Sequence, residues 1–256
     1  MADDLRLRQI CLAVATIEPL ASDLAAILRT PVCHRDPAVG VYGLENVLFA
    51  IGPYFLELVA PLREGTAAGR FLERSGGKGG YMAIFECADP ALRCRHAEAM
   101  GVALAHEIRH DGYHGVQLHP RDCRAAMIEF NHTEGGGDPF GPYAPAGLQW
   151  QDFLKPEAAR ALLEVEIASP APADLAAHWA RILDLPLRQA PAGPRLEIGD
   201  CALAFRGADA GAREILSVLT LSVADAEASL ATARARGYAV GGNAFFAGGV
   251  DFRLRD

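Results

Sequence analysis

The stretch ICLAVATIEPLASDLAAILRTPV, Ile10 to Val32, recurs in outline as VEIASPAPADLAAHWARILDLPL, Val165 to Leu187. Each begins as a short apolar strand, turns at a proline and continues as a helix that contains the tetrapeptide DLAA. Each then closes with a second proline before the next strand. The repetition predicts that one structural unit occurs in both halves of the chain.

A related pattern follows within each half, in IFECADPALRCRHAEAMGVAL (84–104) and LTLSVADAEASLATARARGYAV (219–240). These helices end at Gly101 and Gly237, where glycine suits the left-handed conformation of a helix C-cap. Short strands separated by glycine and proline follow each helix. We therefore predict an α+β fold with four units of strand, helix and strands, arranged in two pairs.

The segment TEGGGDPFGPYAPAGLQWQDFLKPEAAR, 133–160, separates the two pairs. It is rich in glycine, proline and aromatic residues and shows neither a helical nor a strand period. Such a composition is typical of a boundary between domains. We predict a first domain over residues 1–135, a linker over 136–160 and a second domain over 161–256.

The overall composition argues against nucleic acids and membranes as partners of the protein. The net charge of −8 and the scattered arginines leave no basic stripe for nucleic acid. No apolar segment approaches the ~20 residues that span a bilayer, and the acidic start lacks the apolar core of a signal peptide. The six cysteines form no CxxC pair, which fits reduced thiols. We expect a cytoplasmic monomer or homodimer whose partner is a small molecule.

Two glutamates interrupt strands that are otherwise apolar. Glu129 lies in AAMIEFN and Glu57 in YFLELV, while the strand QICLAV begins at Gln9. Because side chains alternate between the faces of a strand, each strand has one apolar face and one mixed face. A carboxylate buried alone costs several kcal/mol, so the mixed faces predict a cavity with a cation or a proton to bind. The alternative is that both glutamates are solvated or pair with arginines.

The phrases GPYFLELVAPLREGTAAGRFLE (52–73) and LHPRDCRAAMIEF (118–130) resemble the vicinal oxygen chelate superfamily of glyoxalases, bleomycin-resistance proteins and extradiol dioxygenases. The likeness is closest to the methylmalonyl-CoA epimerase branch. It covers residues 6–132 well, and residues 161–254 in pattern only. It implies two tandem pairs of βαβββ modules, in curled mixed or antiparallel sheets with helices on the outside, that enclose a metal and a small substrate.

In that superfamily four strand positions hold the metal, and here they fall on Gln9, Glu57, Met82 and Glu129. Met82 offers only a soft thioether, which suits hard cations poorly. The resemblance therefore implies either a hard ion such as Mg²⁺ or Mn²⁺ on Gln9, Glu57 and Glu129, or no metal. A zinc or iron centre that depends on histidine is not expected.

The segment HEIRHDGYHGVQLH contains four histidines, and its pattern predicts a strand, a glycine turn and a second strand. Side chains of a hairpin scatter between its faces, so a four-histidine metal cluster is not expected. His114 and His119 are the two that can reach a cavity mouth. We take them as candidate ligand-binding residues, since histidine titrates near neutral pH.

The second half places Glu164, Ala204, Val218 and Arg253 at the corresponding four positions. This set does not suit a metal, and it argues against an extradiol dioxygenase. We expect Glu164 and Arg253 to pair and the second domain to be structural or regulatory.

Two functions fit the sequence. The first is a lyase, isomerase or epimerase that acts on a small carbonyl or acyl-thioester compound through a degenerate metal site. Glu57 and Glu129 would then be catalytic, Gln9 would be a ligand or an oxyanion donor, and Met82 would be a wall of the pocket. The second is a metal-free protein that binds or sequesters a small molecule. Met82 favours the second function, and the intact pair of glutamates favours the first.

Overall fold

The structure of the protein is a computed structural model that describes residues 5–256. Residues 1–4 lie outside the described part, and the expectation about the acidic start falls partly on them. Within residues 5–256, sixteen strands form two sheets of eight strands each. None of the helices in this range is long and apolar enough to cross a bilayer.

The first sheet contains the strands of the first half, in the order β2-β3-β4-β1-β5-β8-β7-β6. Their bounds are β1 Arg6–Ala13, β2 Val32–His34, β3 Leu44–Ile51, β4 Tyr54–Pro61, β5 Met82–Glu86, β6 Leu104–His110, β7 Tyr113–Leu118 and β8 Met127–Thr133.

The second sheet repeats this arrangement in the order β10-β11-β12-β9-β13-β16-β15-β14. Its strands are β9 Ala161–Ser169, β10 Arg188–Ala190, β11 Gly193–Ile198, β12 Cys201–Gly207, β13 Ile215–Ser222, β14 Val240–Gly241, β15 Ala244–Ala247 and β16 Val250–Arg255.

Each sheet consists of two four-stranded units side by side, and the strand order of one unit is the reverse of the other. The first and last strands of a unit are parallel neighbours, as in β1 with β4 and β5 with β8. The two units join through antiparallel first strands, β1 with β5 and β9 with β13. Each sheet is therefore mixed, and the predicted α+β class with paired units is confirmed.

The helices α1 Leu20–Ile27, α3 Pro90–Glu98, α5 Pro172–Leu183 and α6 Ala226–Ala235 follow the predicted pattern of the repeats. Two further helices, α2 Ala67–Ser75 and α4 Pro120–Cys123, lie in the first half and were not predicted by it. Asp89 and Asp225 cap α3 and α6, where a carboxylate oxygen accepts a backbone N–H of the first turn. Gly101 and Gly237 have positive φ angles of 81° and 89° just after these helices, as their sequence predicted.

The apolar strand faces of both halves belong to one hydrophobic core. Ile10 and Leu56 of the first sheet line the same small cavity as Leu162, Leu219 and Phe252 of the second. Burial of this apolar surface is the main stabilising contribution to the fold. The mixed face of the first sheet therefore points away from this shared core.

The segment predicted as a linker, residues 136–160, packs against the mixed face of the first sheet. Tyr143, Ala146 and Trp150 are buried there among Leu48 and Phe55 of β3 and β4. Two short 3-10 turns, Ala144–Ala146 and Trp150–Phe153, are its only regular structure in the described chain. The segment therefore contributes to the face on which the sequence placed the candidate site.

Candidate functional site

The two predicted carboxylates occupy equivalent positions in the two units of the first sheet. Glu57 lies on β4 and Glu129 on β8, the last strand of each unit. Glu57 is Cα partner of Cys11, and Glu129 is Cα partner of Ile84. Their side chains are only 8% and 4% exposed. We call the face that carries Gln9, Glu57 and Glu129 the first cup.

Two amide groups bind the carboxylate of Glu57. Gln9 Nε2 donates to Glu57 Oε2 at 2.8 Å, and Asn46 Nδ2 donates to Glu57 Oε1 at 2.7 Å. All three side chains are buried. Hydrogen bonds to an ionised acceptor are stronger than neutral ones, so the two amides partly compensate for the removal of this group from water.

A hydroxyl and an amide bind the carboxylate of Glu129 in the same manner. Tyr113 Oη donates to Oε1 at 3.0 Å, and Gln117 Nε2 donates to Oε2 at 2.8 Å. Tyr113 and Gln117 both lie on β7, which pairs with β8 so that Gln117 is opposite Glu129. The neighbouring strand therefore supplies both donors.

Tyr143 connects the two carboxylates. Its hydroxyl donates to Gln9 Oε1 at 2.9 Å and accepts from Asn131 Nδ2 at 3.1 Å. Gln9 contacts Glu57, and Asn131 Nδ2 also lies 3.5 Å from Glu129 Oε1. A continuous chain of hydrogen bonds therefore runs from one carboxyl group to the other.

The pKa values of both carboxyl groups are raised above the ordinary pKa of glutamate. Burial raises the pKa of Glu57, although hydrogen bonds from Asn46, Cys11 and Gln9 act in the opposite direction. Burial also raises the pKa of Glu129, and the charge of Glu57 raises it further. Raised carboxyl pKa values bring these groups closer to the pH at which they can exchange protons.

The ring of Tyr143 lies in an aromatic and cationic slot. It stacks on Phe55 with 4.7 Å between ring centroids and 12° between planes. The guanidinium carbon of Arg8 lies 5.0 Å from the Tyr143 centroid and 5.6 Å from that of Trp150. Arg8 is itself buried and pairs with Glu86, with Nε 3.1 Å from Oε2. The slot thus combines stacking with a cation–π contact.

Met82 lies in an apolar region of the same face. It is 6% exposed and packs in a cluster with Cys11, Val59 and Met127. Cys11 is the Cα partner of both Met82 and Glu57, so this cluster adjoins Glu57. Burial, and then the charge of Glu57, raise the pKa of the Cys11 thiol well above its ordinary value. The thiol is therefore protonated and can donate to Glu57.

The structure does not bring the predicted histidines into this network. His114 alternates with Tyr113 and Gly115 on β7 and so lies on the other face, where its Nε2 is 2.9 Å from Glu107 Oε1. His119 precedes α4, and its Nδ1 accepts from the Arg121 backbone N–H at 3.3 Å. A role for either in ligand binding stays a prediction.

The donor set of the first cup fits a divalent metal poorly. Both oxygens of Glu57 and of Glu129 accept from amide or hydroxyl groups, and Gln9 Oε1 accepts from Tyr143. Among residues 5–256 no group of three or more His, Cys, Asp or Glu side chains is placed to hold an ion. A metal on Gln9, Glu57 and Glu129 stays a prediction, and we derive no step through one.

The corresponding face of the second sheet carries pairs of arginine and glutamate side chains. Arg253 Nη1 lies 2.5 Å from Glu166 Oε1, and Arg206 Nη2 lies 3.4 Å from Glu164 Oε1. The expected pair of Glu164 with Arg253 is therefore replaced by two neighbouring pairs. Ala204 and Val218, as predicted, are apolar and buried.

Sequence reasoning missed most of the hydrogen-bond donors. Asn131 follows Glu129 by two positions and so shares its face of β8, and Gln117, which lies opposite Glu129, follows the alternation of β7. Tyr143 had no such signal, because the segment around it has no period. Its isolated aromatic residues among glycines and prolines were the one available hint.

Comparison with known proteins supports the fold. A crystal structure of a hypothetical protein from Staphylococcus aureus is similar over 98% of this chain and 98% of its own, with a TM-score of 0.68 and 11% identity. A variant methylmalonyl-CoA epimerase from Streptomyces coelicolor, in complex with 2-nitronate-propionyl-CoA, is similar over 51% of this chain and 99% of its own, with a TM-score of 0.46 and 21% identity. Methylmalonyl-CoA epimerase from Mycobacterium tuberculosis is similar over 49% and 86%, with a TM-score of 0.44 and 23% identity.

No protein-family model matches the chain, and no curated protein matches its sequence. The similarity to the Staphylococcus aureus protein extends over nearly the whole of both chains. At this level of identity it shows a shared fold alone.

Proposed function

We propose that the first cup binds a small carbonyl or acyl-thioester compound and moves a proton at the carbon next to its carbonyl group. This is a reaction of the isomerase or epimerase type. The observation that carries the proposal is the pair of buried carboxyl groups, Glu57 and Glu129, whose pKa values are both raised and which share one hydrogen-bonded network.

The two carboxyl groups occupy equivalent positions in the two units, so both can take part in moving the proton. One carboxylate removes a proton from the carbon, and the other carboxyl group, protonated, returns one. Glu57 and Glu129 come from different units of the sheet, so they approach a bound compound from different sides. Charge that develops on the carbonyl oxygen needs a donor, and the Asn131 amide is directed at the position that the Tyr143 hydroxyl now holds.

The second candidate is metal-free binding without reaction. It is favoured by the apolar cluster around Met82 and by the amide and hydroxyl donors that already saturate both carboxylates. A cavity of mixed apolar and polar character suffices to bind a small molecule. Under this candidate the division into a binding first domain and a structural second domain is unchanged.

Exchange of solvent deuterium into the substrate tests the proposal. A panel of acyl thioesters and small carbonyl compounds, beginning with methylmalonyl-CoA, is incubated with the protein in deuterium oxide and analysed by mass spectrometry. We expect exchange at the carbon next to the carbonyl in at least one compound. Glu57→Gln and Glu129→Gln should each reduce it by about 100-fold or more, the usual contribution of a proton-transferring group.

The matched control is Glu166→Gln, which changes a glutamate on the second sheet. This variant should retain exchange. Exchange that survives in both Glu57→Gln and Glu129→Gln would show that these groups do not transfer the proton. A compound that raises the melting temperature but never exchanges would favour the binding candidate instead.

A further inference from the structure

The candidate site is closed in this structure. Glu57 and Glu129 are 8% and 4% exposed, and Gln9 and Asn131 are 2% and 0% exposed. Tyr143, which connects them, is also fully buried. A small molecule can reach the carboxyl groups only if some part of this cover moves away.

We propose that residues 139–154, here called the strap, are the gate of the site, and that Tyr143 holds the place that a bound compound takes. The motion of the strap is a property of the fold. That it admits a compound to Glu57 and Glu129 rests on the proposed function.

A few side chains hold the strap on the sheet. Tyr143, Ala146 and Trp150 point inward and are buried, whereas Phe140 and Leu148 are 52% and 84% exposed. Trp150 Nε1 donates to Gly141 O, a bond within the strap itself. Detachment therefore requires the release of these three inward side chains and of the partly buried Phe153 and Leu154.

Among the described residues, no backbone–backbone hydrogen bond ties the strap to the sheet, although the Ala144 N–H donates to Thr133 Oγ1 of β8 at 3.2 Å. In the described chain, every backbone–backbone hydrogen bond of residues 139–154 is local, from Gly141 N to Asp138 O at its start to Leu154 N to Gln151 O at its end. Glycines 135–137 precede the strap, and Gly147 within it has a φ of 80°. Because its backbone bonding is local, the free-energy cost of lifting the strap is mainly that of exposing its buried side chains.

The contacts at the start of the strap leave buried polar atoms unpaired. Arg8 binds Pro139 O at 2.5 Å, and Arg6 binds Gly137 O at 2.7 Å. Arg8 Nη2, Glu86 Oε1 and Asn131 Oδ1 nevertheless have no hydrogen-bond partner although they are buried. Water can reach such atoms once the strap lifts, so hydration favours the open form.

The slot that Tyr143 fills indicates what can replace it. One side is the ring of Phe55, the guanidinium of Arg8 lies 5.0 Å from the Tyr143 ring centroid, and the amides of Gln9 and Asn131 stand at its end. A flat, uncharged group that ends in a hydroxyl satisfies all of these neighbours, whereas one that ends in a carbonyl oxygen leaves Gln9 Oε1 without a donor. A carbonyl oxygen would accept from Asn131 as the Tyr143 hydroxyl does.

Labelling of Cys33 tests the gate without a substrate. Cys33 is 8% exposed and packs under Tyr143, Ala146 and Trp150, so it becomes reactive when the strap lifts. The protein is treated with iodoacetamide at several urea concentrations below its unfolding transition, and each labelled cysteine is identified by peptide mass spectrometry. Cys123 and Cys201, which lie away from the strap and are 0% and 2% exposed, report global unfolding.

We expect Cys33 to react faster than Cys123 and Cys201, at a rate that rises less steeply with urea because opening exposes less surface than global unfolding. Tyr143→Phe removes one hydroxyl, which in the closed form leaves Gln9 Oε1 without its donor and takes one acceptor from Asn131 Nδ2. It should accelerate Cys33 labelling by about tenfold, the factor that one unpaired buried group is worth. The control Tyr238→Phe also removes a hydroxyl, partly buried and bound to Asp23, but away from the strap, so Cys33 should react at the wild-type rate.

Labelling of Cys33 at the rate and urea dependence of Cys123 would overturn the gate, as would equal acceleration by Tyr143→Phe and Tyr238→Phe. Either result would mean that the strap opens only when the whole protein unfolds. The deuterium-exchange assay is independent of this outcome. If the strap opens but the Glu57→Gln and Glu129→Gln variants keep full exchange, the proposed function is wrong and the gate is not affected.

Discussion

The hydroxyl of Tyr143 donates to Gln9 Oε1 at 2.9 Å, although 134 positions of sequence separate the two residues. Gln9 lies on β1, and Tyr143 lies on a segment whose described regular structure consists of two short 3-10 turns. Together with the bond from Asn131 Nδ2 to the same hydroxyl, the bond between Tyr143 and Gln9 joins the strap to the network that contains both candidate catalytic glutamates.

Removal of the Tyr143 side chain should create a cavity that binds a small molecule resembling that side chain. Tyr143→Ala is expected to lower the unfolding free energy by about 3–5 kcal/mol, as for other large buried aromatic residues. p-Cresol should then raise the melting temperature of the variant, since a compound that binds only the folded state stabilises it. Toluene has the same ring and no hydroxyl to bind Gln9 and Asn131, so it should stabilise less. Equal shifts with both compounds would show that the amides do not recognise the oxygen.

The buried glutamates should make stability depend on pH. Burial raises the pKa of Glu57 and Glu129 above the values in the unfolded chain. Such a group stabilises the fold fully below its unfolded pKa, and this contribution is lost as pH rises through the folded pKa. The stability of Glu57→Gln and Glu129→Gln relative to wild type should therefore increase as pH rises from about 4.5, by about 1.4 kcal/mol for each unit of pKa shift.

Urea unfolding at a series of pH values measures this difference. Glu98→Gln, which changes an exposed glutamate on α3, serves as the control and should show no such trend. A difference between wild type and the buried-site variants that stays constant with pH would contradict raised pKa values in the folded state.

Divalent cations should bind the first cup weakly. An ion on Gln9, Glu57 and Glu129 has to displace the amide and hydroxyl groups that these residues now contact. A site with a Kd of about 10 µM would stabilise the fold by about 2.7 kcal/mol at about 1 mM free ion. We expect Mn²⁺ and Mg²⁺ to stabilise it by much less. A shift of the full size that disappears in Glu57→Gln would establish the metal site after all.

The ion pairs of the second sheet should contribute little to stability and nothing to turnover. Arg253 and Glu166 are in contact at 2.5 Å, yet their side chains are 28% and 13% exposed, so solvent screens them. Arg253→Met is expected to cost about 1 kcal/mol or less. Deuterium exchange should be unchanged. Loss of exchange in this variant would show that the proposed division between a binding first domain and a structural second domain is wrong.

The sequence could predict those features that depend on local periodicity. The repeated strand–helix pattern with its DLAA helices predicted the paired units, because period and turn residues determine which elements form. Alternation along the strands placed Gln9, Glu57 and Glu129 on one kind of face, since successive side chains of a strand point to opposite sides. The apolar partners of these residues, on the other face, form the shared core.

Only the tertiary structure decided which groups meet across strands. Arg253 contacts Glu166 rather than Glu164, although the register through Thr220 of β13 aligns it with Glu164, because both glutamates share a face of β9 and the Arg253 side chain reaches diagonally across β13. Tyr143 had no periodic pattern that could predict its burial. It reaches the carboxyl groups because the sheet offers Phe55 and Arg8 as a slot for its ring, a surface that exists only once distant strands are assembled. The sequence by itself thus determined the units and the faces of their strands, whereas the packing of a non-periodic segment onto a finished sheet determined that the site is closed.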